Sequence, residues 1–181
     1  MDDAAFALTA DLFVLHQAGI RELLPAGKML PGERHLGRAP WSGFLAKVPP
    51  APMMVWTYRE LGSDLCGRAD PARGALWREL IKLLELPRGS VAFWPFALPA
   101  KGEGDEVWME PFLAGLARIA PKALVVFGEE ASPPIAAALS EAENEALADI
   151  RSLCVPWTGA QSANQLAQPL RQFLNTMEAS R

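Results

Sequence analysis

The sequence is poor in cysteine and histidine, has no excess of positive charge, and contains no long apolar run. Its two cysteines, Cys66 and Cys154, are too few for a four-ligand zinc or iron–sulfur site within one chain. They fit reduced thiols better than a disulfide scaffold. A formal net charge of -4 argues against a strongly basic nucleic-acid binder, while leaving room for a local basic face. No apolar run reaches the roughly eighteen residues that a membrane span requires. The chain opens on Asp2 and Asp3 rather than on a basic region, and Asp11 and His16 interrupt the apolar stretch that follows, so no secretory signal is read. No Ser-His-Asp set and no metal-ligand spacing is visible. Gly102 and Gly104 lack the strand-then-helix setting of a phosphate cradle. The expectation is a soluble, cytoplasmic protein with no cofactor, no membrane contact and no metal cluster.

What is present is the material of one folded domain. With 181 residues, 50% of them hydrophobic and 21% charged, the chain can bury a useful core, and residues 1–181 read as a single domain. Sixteen prolines and six tryptophans are many for this length. The prolines gather at 25–52, 95–99 and 133–134, which predicts stiffened loops between a few regular elements.

Apolar spacing predicts a helix over 3–24, closed by Pro25-Ala26-Gly27. Residues 25–51 show no periodicity and read as a long surface loop. Residues 52–178 then form an α/β core. Pro52 to Thr57 reads as a buried parallel strand, because both faces of such a strand are covered and no alternation remains. Tyr58 to Arg73 is polar. Gly74 to Leu86 is a helix with Leu76, Leu80, Leu83 and Leu84 on one face. Ser90 to Trp94 is a second strand, stopped by Pro95. A polar loop over 97–107 leads to a helix over 110–120, and Ala123 to Phe127 is a third strand. Ser132 opens a short helix, the stretch from Glu141 to Asp149 is a solvated helix or loop, and Leu153 to Trp157 is a fourth strand. Pro169 begins the last helix. Strand and helix alternate four times, which predicts a three-layer α/β/α arrangement around a central four-stranded parallel sheet.

From about Pro52 to Leu174 this order resembles the uracil-DNA glycosylase superfamily. Three stretches carry the resemblance. The first is Gly62-Ser63-Asp64-Leu65-Cys66-Gly67-Arg68 with the following Gly74-Ala75-Leu76-Trp77-Arg78-Glu79-Leu80. The second is Glu110-Pro111-Phe112-Leu113, then Ile119-Ala120-Pro121-Lys122 and Leu124-Val125-Val126-Phe127-Gly128. The third is Val155-Pro156-Trp157 with the later Pro169 and Arg171. The resemblance implies a uracil-DNA glycosylase-like fold.

The same resemblance argues against the family's chemistry at three positions. Tyr58 stands where the family has an acidic or polar residue that handles water. Pro95 stands where an asparagine reads the uracil edge, and Val155 where a histidine stabilises the leaving base. Both histidines, His16 and His35, lie elsewhere in the chain. The implied function is therefore a non-catalytic domain that binds nucleic acid or a protein partner. The alternative is a glycosylase for uracil or another damaged base with relocated carboxylates, for which Glu60 and Asp64 are the candidates.

The candidate binding residues at the carboxyl edge of the sheet are Tyr58, Arg59, Pro95, Gly128, Pro156 and Trp157. Aromatic faces of Tyr58, Trp94 and Trp157 could stack an unpaired base or could pack the sheet edge. Glu60 and Asp64 read more readily as solvated loop charges. Trp56 reads as core, whereas Trp41 and Trp108 could anchor a partner. Arg34, His35, Arg38 and Lys47 form a basic cluster that could touch phosphates or stay solvated. Cys66 and Cys154 read as small apolar fillers.

Overall fold

A computed structural model describes residues 30–100, 104–142 and 144–179. The helix expected over 3–24 lies outside the described residues. The elements run α1 (Glu33–Leu36), α2 (Trp41–Leu45), β1 (Met54–Tyr58), α3 (Leu61–Ser63), a π turn (Asp64–Arg68) and α4 (Pro71–Leu83). They continue with β2 (Val91–Phe93), β3 (Ala97–Pro99), β4 (Asp105–Val107), α5 (Met109–Ile119), β5 (Ala123–Phe127), α6 (Ser132–Glu141), α7 (Glu145–Ala148), β6 (Arg151–Val155) and α8 (Ala163–Glu178).

The expected α/β architecture with a four-stranded parallel sheet is present, in the order β2-β1-β5-β6. β1 and β5 are central and buried at every position, which is why both read as unbroken apolar runs. Their side chains feed two cores. Val55, Leu124 and Val126 face α1, α2, α5, α6 and α7, where Phe112, Leu116 and Ile135 are buried. Met54, Trp56, Tyr58, Val125 and Phe127 face α4 and α8, where Trp77, Leu80, Leu166 and Leu170 are buried. The second layer is aromatic. Trp77 lies 4.7 Å from Phe127 and 5.0 Å from Tyr58, ring centre to ring centre, and Trp56 lies 5.4 Å from Phe127. The Trp56 indole N–H donates to the Met54 sulfur at 2.9 Å.

Several expectations are corrected. The stretch 30–51 is not a featureless loop: α1 and α2 bury Leu36, Trp41 and Phe44 against Trp94 and its neighbours. Each is only a turn or so long, too short for periodicity to show. Trp41 is core rather than an exposed anchor, 5.5 Å from Trp94. The polar stretch 97–107 holds a hairpin, β3 against β4, whose three-residue strands offer no readable alternation. The last helix starts two turns before Pro169. Ser162 caps it by accepting from the Gln165 N–H while the Gln165 side chain accepts from the Ser162 N–H, a reciprocal box that stabilises a helix start. Pro169 is tolerated inside it. The fourth strand is Arg151–Val155, so Pro156 and Trp157 follow it. Both cysteines are exposed rather than fillers.

Candidate functional site

The strand order reverses between β1 and β5: the chain moves outward from β1 to β2 on one side and from β5 to β6 on the other. Open parallel sheets bind ligands outside the carboxyl ends of the strands at such a point. Here that edge carries a cleft of about 720 Å³ lined by Glu60, Arg73, Glu79, Glu130, Trp157 and Ser162, among others. It is assembled from the end of β1, the start of α4, the turn after β5 and the segment from β6 into α8. Asp70 lines it too and caps α4, accepting from the Ala72 N–H at 2.8 Å, with Pro71 pre-set for the first turn.

Beside the cleft, one carboxylate organises its surroundings. Asp64 Oδ2 accepts from the Tyr58 hydroxyl at 2.7 Å and from Arg73 Nε at 2.7 Å, while Oδ1 accepts from Arg73 Nη2 at 2.7 Å and from the Asp70 N–H at 3.3 Å. The Arg73 guanidinium also stands 5.7 Å from the centre of the Tyr58 ring. The side chains of Arg73 and Asp64 are only 17% and 12% exposed, so a two-pronged pair of this kind is shielded from solvent. Burial alone would raise the Asp64 carboxyl, but the Arg73, Tyr58 and Asp70 donors outweigh it and hold the carboxyl below the ordinary carboxylate range. Burial, then the Asp64 carboxylate, pushes the Tyr58 hydroxyl well above the ordinary tyrosine range. The Asp64 hydrogen bonds raise Arg73 in turn.

The geometry ties Asp64 to structural partners. A base needs a proton affinity near working pH and a free lone pair aimed at substrate, whereas this carboxylate is pushed the other way and accepts four hydrogen bonds from three residues. Glu60 differs. Its Oε2 is buried with no hydrogen-bond partner, and the residue lines the cleft. Among the described residues three other buried polar side-chain atoms lack a partner, Thr57 Oγ1, Trp77 Nε1 and Trp157 Nε1. Trp77 Nε1 pulls on the Tyr58 hydroxyl without completing a hydrogen bond. Thr57, Glu60, Trp77 and Trp157 all belong to the carboxyl-edge half of the molecule. Buried polar atoms are rarely left unpaired in native proteins, so their concentration here marks this edge.

The other sequence candidates scatter. Tyr58 is buried and spent on Asp64. Arg59 donates to the Asp105 carbonyl at 3.4 Å, tying β1 to the hairpin. Ser63 bonds the Asp105 carboxylate at 3.1 Å, and Gly62 lets this turn touch the Ala97 carbonyl where any Cβ would collide with it. Pro95 is buried. Trp94 is core, donating to the Phe112 carbonyl at 3.1 Å, so it offers no face for stacking. Gly128 takes a left-handed φ of 101° and donates to the Val155 carbonyl at 3.0 Å, which turns the chain toward Glu130 on the cleft. Pro156 is exposed and Trp157 half-buried, 5.2 Å from Trp77 and 5.5 Å from Tyr58. Of the predicted set, Glu60 and Trp157 line the cleft and the rest do not. The basic cluster is elsewhere: Arg34 reaches Glu110 at 3.9 Å and bonds His35, whose ring meets Trp108 edge-on.

Sequence reasoning missed Arg73, Glu79, Glu130 and the partnership of Asp64. Arg73 lies nine residues beyond Asp64, a spacing that no regular element brings together. A π turn with Gly67 at a φ of 92° is what folds one onto the other.

No group of three or more metal-ligating side chains is assembled among the described residues, and no described helix is long and apolar enough to cross a membrane. No protein-family model and no curated protein matches the chain.

Proposed function

We propose that this chain is a uracil-DNA glycosylase-like domain without base-excision chemistry, which acts by binding a protein partner through a basic side chain at the carboxyl-edge cleft. The observation that carries this reading is the charge of the cleft. Glu60, Asp70, Glu79 and Glu130 line it, and the one cation that lines it among the described residues, Arg73, is engaged by Asp64 and lies 3.9 Å from Asp70. A wall of this sign repels phosphates, whose neutralisation by lysine and arginine dominates nucleic-acid affinity. It complements a lysine or arginine, which the half-buried Trp157 face could also receive. The strand order, the helices on both sheet faces and the three replaced signature positions agree with a fold kept while its chemistry was lost.

The test sets a short arginine- and lysine-rich peptide against single-stranded and duplex oligonucleotides carrying uracil, with binding read by calorimetry. The peptide is expected to bind, and Glu60→Gln combined with Glu130→Gln to weaken it by about tenfold. Oligonucleotide binding without peptide binding would sink the reading. A second reading has one specific support: Glu60 lines the cleft and carries a carboxylate oxygen without a hydrogen-bond partner, and a carboxylate is the group that orients water for attack on a glycosidic bond. Abasic product formed by the wild-type chain and lost in Glu60→Gln would establish that reading instead.

A further inference from the structure

Among the described residues the sheet ends at β2 on one side and at β6 on the other, and the two ends are built differently. β2 is three residues long, with Val91 and Phe93 half-buried. Pro95 follows closely and has no N–H to extend a ladder. β6 has five residues, as many as the central strands, contains no proline, and exposes Ser152 and Cys154. Two hydrogen bonds fix its backbone direction. Arg151 donates to the Lys122 carbonyl at 3.2 Å, and the Val155 carbonyl accepts from Gly128 at 3.0 Å. With Arg151 opposite Ala123 and Val155 opposite Phe127 in a parallel register, residues 151, 153 and 155 turn their backbone groups toward β5. Ser152 and Cys154 turn theirs outward. An exposed edge with free backbone groups is a template for another strand.

We propose that β6 pairs antiparallel with β6 of a second copy of this chain, about a two-fold axis at Leu153. In this register Ser152 faces Cys154 of the second copy. The Ser152 N–H donates to that Cys154 carbonyl, and the Ser152 carbonyl accepts from that Cys154 N–H; the two-fold axis repeats both bonds. Every outward backbone group of the strand is then satisfied. Sliding the register by two residues sets Ser152 opposite Pro156, which has no N–H, or Cys154 opposite Ile150, beyond the strand. Arg151, the strand's charged residue, faces Val155 rather than its own copy, so no like charges meet. The contact is self-complementary and closes at two copies, because the remaining outer edges are the short, proline-ended β2 strands.

Sedimentation equilibrium of the full chain at high micromolar loading tests this. The expected mass is twice the 19.6 kDa of one chain. Ser152→Lys with Cys154→Lys alters only exposed side chains, sets like charges opposite each other across the axis, and is expected to return the mass to one chain with unchanged circular dichroism. In a Cys66→Ser background, Ser152→Cys is expected to give an oxidised covalent dimer, since directly opposed hydrogen-bonded residues lie about 5.5 Å apart, within disulfide reach. Cys66→Ser alone is expected to give none, because Cys154 and its copy are diagonal neighbours about 7–8 Å apart. A wild-type chain that stays monomeric overturns the proposal. So does a dimer that survives the lysine pair, or a covalent dimer through Cys154 alone.

Discussion

The two edges of this sheet carry cavities of similar size and different chemistry. At the amino edge a cavity of about 800 Å³ has Met53, Leu84, Leu86, Leu174 and Met177 in its walls, with the carboxylates of Glu85, Glu145, Asp149 and Glu178 balanced by Lys122 and Arg151. The carboxyl-edge cleft has four carboxylates as well, Glu60, Asp70, Glu79 and Glu130, but among the described residues a single cation, Arg73, which Asp64 already holds. The backbone differs too. Around the carboxyl edge left-handed turns fall on Gly67, Gly128 and Gly159, whereas α4 and α5 close at the amino edge on Glu85 (φ 52°) and Ala120 (φ 49°). A left-handed conformation costs a residue with a Cβ about 1–2 kcal/mol. The amino edge thus holds its strain in the backbone, locally. The carboxyl edge has relaxed turns and holds unpaired buried polarity instead. The second kind of cost is the one a ligand can relieve by supplying the missing hydrogen-bond partner, and two of the four residues concerned, Glu60 and Trp157, line the cleft. That difference, more than cavity size, sets the carboxyl edge apart as the candidate site.

Three substitutions break or sharpen this contrast. The largest effect is expected from Asp64→Asn, which leaves Arg73 and Tyr58 without their shared carboxylate and should lower unfolding free energy by about 2 kcal/mol in denaturant titrations. Its pH profile supplies a sign. Because the folded Asp64 carboxyl is depressed, its contribution is fully present above the ordinary carboxylate range and fades as pH falls through the lower folded value. The difference between wild type and Asp64→Asn should therefore be largest near neutrality and shrink in acid. A gap independent of pH would show that the carboxylate charge contributes nothing. Next, Thr57→Val removes a buried hydroxyl that has no partner and should stabilise the chain by about 1 kcal/mol. A loss would mean that the hydroxyl is satisfied in solution. The smallest effect belongs to the amino edge, where Glu85→Gly should raise stability by about 0.5 kcal/mol by removing a Cβ from a left-handed position. No gain in thermal midpoint would show that the Glu85 side chain makes compensating contacts.

The parts of the fold that could be read in advance are those whose burial is uniform. β1 and β5 are covered on both faces, so Met54-Val55-Trp56 and Ala123-Leu124-Val125-Val126-Phe127 stand out as apolar runs. α5 places Phe112 and Leu116 on one face and is correspondingly clear. The helix over 74–86 was legible through its leucines, yet Trp77, one turn before Leu80 and Ile81, packs most of the aromatic layer. The turns α1 and α2 and the hairpin strands β3 and β4 were not legible, because they have no period to detect and, unlike the equally short β2, stand out as no apolar run. Of the candidate site, Glu60 and Trp157 were found by their position after strands. Asp64 was found without its role, since a carboxylate paired with an arginine nine residues away has the same sequence signature as a solvated one.

By itself, then, the sequence determined the alternation of strands and helices, the parallel sheet with both faces covered, and the want of metal-ligand spacing. Each of these follows from local residue type and periodicity. The tertiary structure decided which charges are spent and which are free. Arg73 is consumed by Asp64, Arg59 is turned to the hairpin, and Glu60, Glu79 and Glu130 arrive from separate segments on one cleft wall. Charges interact through space over a few ångströms, and the chain brings these together only when β1, β5 and α4 are packed.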